Sequence, residues 1–276
     1  MKSLYESVLR RVNKNEFGLS GRSIHKRVNI ENWNYSVNCG DLLGPLICDW
    51  LLDKAGIDKD AKRNKTIHLL SVGSVIGTGV NFDATVWGSG IHRLEAVKNV
   101  FRQKRKYDVR ALRGPVTGAI MKEAGYECKV YADPAILMSL IYRPNERAKK
   151  YEYSVIPHFS SVEKYKNANL NVINMRTDDY KGVIDSISAS NLIISASLHG
   201  IILAETYGVP AVFFNDGMDS ELMKYYDWYY STSRYSVKIA NSIEEAINMG
   251  PMEMPKTLDI MRDDIVNVFP YDLWNS

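Results

Sequence analysis

The stretch Asn191-Leu192-Ile193-Ile194-Ser195-Ala196-Ser197-Leu198-His199-Gly200-Ile201-Ile202-Leu203-Ala204-Glu205-Thr206-Tyr207-Gly208-Val209-Pro210-Ala211-Val212-Phe213-Phe214 reads as strand, tight turn, helix, stop and second strand. Leu192 to Ile194 is a short apolar run of the kind that a parallel sheet buries on both faces. Ser195 and Ser197 suit the amino end of a helix, because a hydroxyl accepts from an otherwise orphaned amide of the first turn. Gly208 stands where a helix ends in a left-handed residue, and Pro210 follows where no helix continues. So short a crossover between two apolar runs is a right-handed βαβ unit.

In such a sheet, ligands gather beyond the carboxyl ends of the strands, against the amino ends of the helices. Ser197, Leu198 and Gly200 occupy that place, where free amides and the helix dipole favour an anion. Gly200, with no Cβ, allows a ligand close to the backbone. His199 projects from the first helical turn, where a bound phosphate or carboxylate would raise its pKa. The structural alternative is that His199 packs locally and only finishes the turn.

The chain has 276 residues, 45% hydrophobic and 24% charged, and a net charge of +3. That describes a globular chain long enough for two domains, and the strand-then-helix pattern makes it α/β, split at a linker over Tyr142 to Tyr153 with its Pro144, Asn145 and charged run. The expected division is residues 1–145 and 150–254, with the tail 255–276 packing back on the first domain. No apolar run approaches the roughly 18 residues a membrane span needs, and the amino end has no secretory apolar core. Cys39, Cys48 and Cys128 are odd in number and widely spaced, which predicts reduced thiols in a cytoplasmic protein and neither a disulfide frame nor a metal site. The charge is too small to imply nucleic acid. The basic cluster Arg102, Lys104, Arg105, Lys106, Arg110 and Arg113 reads as a solvated helix face, with a membrane-surface patch as the alternative.

Outward from the central unit, βα punctuation repeats. Ser3 to Asn13 has helical periodicity, and Arg27 to Trp33 is a first strand. Asn38, Gly40 and Asp41 then lie at a strand-to-helix turn, where Asp41 is either a cap or a chemical group. Thr66 to Val72 feeds the glycine turn Gly73 to Gly77. Val86 to Gly90 repeats the device, and the backbone of Ser89 and Gly90 is expected close to a ligand or a facing domain. His92 and Arg93 follow as polar groups of a cleft. After the strand Tyr107 to Leu112, Pro115 opens a helix in the first turn, where its missing amide costs nothing. Arg113 stands at that helix's amino end, placed to clamp an oxyanion with its planar fork. Cys128 to Tyr131 is a further strand, so that four strand-then-helix units precede residue 140, and Asp133 lies at this strand's carboxyl end. The second half shows strands at Ser154 to Ile156 and Asn171 to Ile173. Its helices fall at Asp179 to Ser188, near Ser220 to Trp228, and at Ile243 to Met249. The aromatic run Tyr225 to Tyr230 is core, with a sugar-stacking platform as the alternative.

Asn38-Cys39-Gly40-Asp41, Gly73-Ser74-Val75-Ile76, Trp87-Gly88-Ser89-Gly90, Arg113-Gly114-Pro115-Val116-Thr117, Asp133-Pro134-Ala135 and Ser197-Leu198-His199-Gly200, in this order, resemble the polysaccharide pyruvyl transferase family. The resemblance covers roughly residues 30 to 215. It implies two Rossmann-like domains facing across a cleft in a glycosyltransferase-B-like arrangement. It further implies transfer of pyruvate from phosphoenolpyruvate onto a sugar of a bacterial surface or exopolysaccharide, or its lipid-linked precursor, as a ketal. No cofactor or metal is implied, and a lipid-linked acceptor implies contact with the inner membrane surface. In that scheme His199 protonates the donor or assists phosphate departure, and Asp133 or Asp41 is the base toward the acceptor. Arg113 and the amides of residues 197–200 hold the negative charge. Several relatives have an arginine before the Leu-His pair where this chain has Ser197, so the donor's cation must come from Arg113, Arg176 or Arg93. Two other readings stand beside it. One is a nucleotide-sugar glycosyltransferase with Glu205 gripping ribose, the other a non-catalytic carbohydrate-binding relative.

Overall fold

Seven strands, all parallel to their neighbours, form two sheets in the computed structural model, which describes residues 26–33, 37–78, 82–144, 149–217 and 219–275. The expected helix at Ser3 to Asn13 lies outside the described residues. In the first half the elements are β1 (Val28–Glu31), α1 (Cys39–Ala55), β2 (Ile67–Leu70), β3 (Ala84–Trp87), α2 (Leu94–Arg102), β4 (Tyr107–Ala111) and α3 (Pro115–Glu123). A 3-10 turn, Pro134–Leu137, and α4 (Met138–Ile141) lead into the second half. There follow β5 (Ser154–Ile156), α5 (Tyr180–Ser188), β6 (Ile193–Ser195), α6 (Leu198–Thr206), β7 (Ala211–Phe213), α7 (Leu222–Ser231), α8 (Ile243–Met249), α9 (Leu258–Asn267) and α10 (Asp272–Asn275).

The sheets run in the orders β1-β2-β3-β4 and β5-β6-β7. Both therefore lack an order reversal, and no crevice arises within either sheet alone. The strands are largely apolar where both faces are covered. Glu31 of β1 is the buried carboxylate among them. It is buried and accepts two hydrogen bonds from Arg105, at 2.6 and 3.2 Å, with His68 Nδ1 at 2.8 Å. Such a carboxylate is tolerable inside only because it is fully partnered.

Helix ends follow local rules. Asn38 caps α1 by accepting from Gly40 N, and Gly56 closes it with φ 67°. Asp179 caps α5, and Ser242 caps α8. One buried apolar cluster runs from Ile30, Leu43 and Leu69 through Ile136 to Ile193, Ile202 and Phe213, so the two sheets share a core. The carboxyl-terminal segment rests against the first sheet. Trp87 Nε1 donates to Ile265 O at 2.8 Å, Phe269 meets the Trp87 ring edge-on, and Arg63 donates to Leu273 O.

Three expected elements differ. The link from β2 to β3 contains no helix among its described residues. Gly77 in this loop turns at φ 74° and would drive a Cβ to 2.1 Å from Ala96 O, so the loop lies flat on α2. The strand expected at Cys128 to Tyr131 reduces to a single bridge between Leu112 and Tyr131. Pro134, which cannot donate, stands just beyond it. The strand at Asn171 to Ile173 is likewise one bridge, Val155 to Val172. The chain then leaves the sheet so that Met175 O accepts from Cys39 N at 2.8 Å, tying α1 to the second half. The linker's residues 145–148 lie outside the described residues; just after them Lys149 Nζ donates to the carbonyls of Ser188 and Ser190.

Candidate active site

Ser197 caps α6 by accepting from Gly200 N at 3.3 Å, while Ser195 Oγ accepts from Ser197 N and donates to Ser197 O. These two hydroxyls set the turn and present His199 at the start of the helix. Gly200 serves packing here and not ligand approach: a Cβ would sit 2.5 Å from Ser195 Oγ and 3.0 Å from Ile156. Gly40 has a sharper reason. A Cβ there would lie 2.2 Å from His199 Nδ1, so the bare backbone of α1 forms the wall against which the imidazole lies.

His199 is 9% exposed and lines a cavity of about 240 Å³. Nearly every lining residue follows the carboxyl end of a strand. β1 leads to Trp33, Asn38 and Asp41, β2 to Gly73 and Ser74, and β3 to His92 and Arg93. β5 leads to His158 and Phe159, β6 to Ser197, Leu198 and His199, and β7 to Glu221 and Lys224. Both sheets thus aim the same edge at one pocket, the edge where α/β proteins gather ligands.

Behind His199 stands Asp133, fully buried. Its Oδ1 accepts from Ala135 N at 3.0 Å, which caps the turn at Pro134, and its Oδ2 lies 3.8 Å from His199 Nε2. Burial pushes the Asp133 carboxyl up to about 6. Asp41 is half-buried at the pocket wall. Burial lifts it to about 7, against the pull of Lys224 and with a push from Asp133. Burial drives His199 down to about 3, reinforced by the charges of Arg113 and Lys224, so these protein groups alone keep the imidazole neutral. An acid role for His199 thus needs an incoming anion to restore its proton affinity.

Arg113 does not reach the pocket. It is fully buried and donates Nε to Asp227 Oδ2 at 3.1 Å, Nη1 to Ser74 Oγ at 2.6 Å and Nη2 to Ile91 O at 2.8 Å. The direct oxyanion clamp read from its helix-end position gives way to a wall residue that holds Ser74 and carries positive charge behind the site. Ser89 and Gly90 also lie outside the lining. Ser89 Oγ donates to Gly73 O, and a Cβ on Gly90 would strike the Arg113 guanidinium at 2.4 Å, so both shape the wall from within. Arg93 lines the pocket, whereas Arg176 lies outside it, 3.8 Å from Glu163. The basic cluster is no single face, since Arg105 and Arg113 are buried and Arg110 pairs with Asp108 and Asp272.

Glu205 is buried and accepts from both Arg234 amines, at 2.5 and 2.7 Å, and from Trp228 Nε1 at 2.8 Å. It belongs to an internal ion pair, not to a ribose site. Tyr225, Trp228 and Tyr229 are fully buried, which makes the aromatic run core. Among the described residues no cluster of three His, Cys, Asp or Glu side chains is arranged to hold a metal ion.

Lys224 and Glu221 were not legible as site residues, nor were Trp33 and Phe159. The available signal was their position: a helix starting just after the Ala211 to Phe214 strand had to open at the same sheet edge as His199.

Residues 59–217 match the family described as polysaccharide pyruvyl transferase. The chain is 27% identical over 221 residues to the uncharacterized protein L143 of Acanthamoeba polyphaga mimivirus, covering 74% of each. It is 28% identical over 173 residues to the succinoglycan biosynthesis protein ExoV of Rhizobium meliloti, covering 59% of this chain but only 48% of that protein. A crystal structure of a functionally uncharacterized Klebsiella pneumoniae protein superposes with a TM-score of 0.52 at 14% identity, over 88% of this chain and all of the other.

Proposed function

The chain belongs to the polysaccharide pyruvyl transferase family, and on that premise we propose that it moves pyruvate from phosphoenolpyruvate onto two hydroxyls of an exopolysaccharide sugar or its lipid-linked precursor, closing a cyclic ketal. Two parallel sheets with their carboxyl edges turned to one pocket support a glycosyltransferase-B-like pairing of Rossmann-like units. The observation that carries the chemical reading is His199, a lining residue of the pocket, whose buried Nε2 lies 3.8 Å from Asp133 Oδ2, both atoms without a hydrogen-bond partner among the described residues.

The donor's phosphate and carboxylate meet Lys224, Arg93 and the first-turn amides of α6. Their negative charge raises the affinity of His199 for a proton, and Asp133 stabilises the imidazolium from behind. His199 then delivers that proton to the methylene carbon, leaving an oxocarbenium-like centre at C2. Asp41, which lines the pocket while Asp133 does not, takes the proton of the first attacking hydroxyl. Phosphate departs with its bonding electron pair, and the second hydroxyl closes the ketal as its proton goes to the released phosphate. Protons balance: one passes from His199 to carbon, and two leave the sugar, one onto Asp41, which returns it to His199 through solvent, and one onto phosphate. The activated donor carries its own leaving group, so the scheme calls for no cofactor. The commitment of Glu205 to Arg234 and Trp228 removes the feature that suggested a nucleotide-sugar donor. No helix among the described residues is long and apolar enough to cross a membrane, so a lipid-linked acceptor would be met at the membrane surface.

The test is incubation with phosphoenolpyruvate and candidate glycans, reading phosphate release and a product heavier by one pyruvyl group. His199→Ala should lower turnover by a factor of about 10² to 10⁴. Phosphoenolpyruvate left intact with every acceptor would overturn the reading.

A further inference from the structure

Glu221 stands directly before α7, at its N-cap position, yet makes no capping hydrogen bond. Glutamate is not among the residues favoured there. Its side chain instead turns into the pocket, where Oε2 accepts from Lys224 Nζ and lies 3.9 Å from His158 Nε2. Among the described residues Lys224 is the donor hydrogen-bonded to this carboxylate, and no backbone amide pins it. The Lys224 ammonium is nearly buried, its side chain 12% exposed, and the charges of Asp41 and Arg113 reach it as well. A carboxylate is therefore already seated against the pocket's buried ammonium, with imidazole nitrogen alongside.

We infer that Glu221 is an internal stand-in for the donor's anionic group: it neutralises Lys224 when no donor is bound and is displaced from it when the donor binds. This rests on the donor reading above. A buried ammonium without a counter-charge would be costly, so Lys224 needs an anion of the protein's own whenever no donor supplies one. A donor bearing two anionic groups meets Glu221 as a like charge, and the two compete for one ammonium. The side chain can yield, because rotation about its own bonds frees it without unwinding α7. Glu221 thus sets donor affinity downward and keeps the buried lysine neutralised between turnovers. It is a positioning residue for Lys224 and a determinant of affinity, with no share in proton transfer.

The test is calorimetric titration of the whole chain with phosphoenolpyruvate and, separately, with inorganic phosphate. Glu221→Gln keeps the shape and removes the charge, and its Kd for both anions should fall roughly tenfold, one unit of charge competition at a half-buried site. Glu221→Ala, which leaves no amide to bond Lys224, must move Kd in the same direction. Lys224→Met should weaken binding and, combined with Glu221→Gln, should erase the gain. An unchanged or raised Kd in both Glu221 variants, with phosphoenolpyruvate still consumed by the wild type, overturns the stand-in role and leaves the transferase reading intact. Tighter phosphate binding in those variants with no phosphoenolpyruvate consumed by any form supports the stand-in role and removes the donor assignment. Binding of neither anion to any form overturns it.

Discussion

His199 Nε2 and Asp133 Oδ2 face each other across 3.8 Å, and neither atom has a hydrogen-bond partner among the described residues. Buried polar atoms are nearly always paired, so two orphans side by side mark a place where a proton or a substrate atom is meant to enter. The separation is too long for a good hydrogen bond and suits an arrangement that tightens when the ring becomes charged.

The wall behind that ring can be tested without touching it. Gly40→Ala puts a Cβ into the space of His199 Nδ1, only 2.2 Å away, while the backbone there tolerates any residue and alanine favours the helix. The expected outcome is a loss of about 1–3 kcal/mol of stability, since His199 Cγ and Cβ at 2.5 and 2.7 Å must give way too, and kcat/KM lower by a factor of about 10 to 100. Full activity in this variant would mean that the ring's position is not what the reaction depends on.

Asp41 gives a pH signature. Burial raises it to about 7, and a base must be ionised, so kcat/KM should climb as pH rises through about 7 and fall away below it. Asp41→Asn should flatten that limb. Stability runs the other way. The fold favours the protonated form, so stability present near the unfolded pKa of about 4 is lost as pH rises through about 7. Wild type and Asp41→Asn should therefore differ little at pH 4. At pH 8 the variant should be more stable by about 1–2 kcal/mol, once partial solvent exposure is allowed for. Denaturant melts at the two pH values check the sign.

The Arg113 and Asp227 pair is sealed, with Thr117 donating from both N and Oγ1 to the same carboxylate. Asp227→Ala strands a buried guanidinium and should cost about 3–5 kcal/mol by urea unfolding. Arg113→Lys should recover only part of the wild-type stability, because one ammonium cannot serve Asp227, Ser74 and Ile91 O in their separate directions. A loss below about 1 kcal/mol for either variant would show that this wall is not held by the pair.

Glu205 separates two donors. Glu205→Gln should lower stability by about 2–4 kcal/mol, since Arg234 then has no carboxylate partner there. KM for phosphoenolpyruvate should stay within about twofold of wild type, because the side chain does not line the pocket. Loss of nucleotide-sugar binding in this variant, found by titrating the folded protein with such a ligand, would restore the ribose role.

Some features are written in short stretches of chain. The run from Leu192 to Phe214 shows both strands, the helix between them, its serine caps and its glycine stop, because each depends on hydrogen bonds and steric limits spanning a few residues. The same holds for Asn38 at the head of α1, Asp179 at the head of α5, and the helix Ile243–Met249. Where a pairing required distant chain, reading failed: Cys128 to Tyr131 and Asn171 to Ile173 look like strands but find only one bridge each.

The site divides along the same line. Local order alone settles that His199 opens a helix at a sheet edge, and that Asp41 and Asp133 follow strand ends. Tertiary structure decides which of the charged groups face solvent-filled space and which face one another. Arg113 and Lys224 are both cations near helix amino ends, yet one is walled in by Asp227 and the other lines the pocket with Glu221. Desolvation and Coulomb terms depend on which groups the fold packs together, Arg113 with Asp227 from 114 residues away for one, and no spacing along the chain encodes those distances.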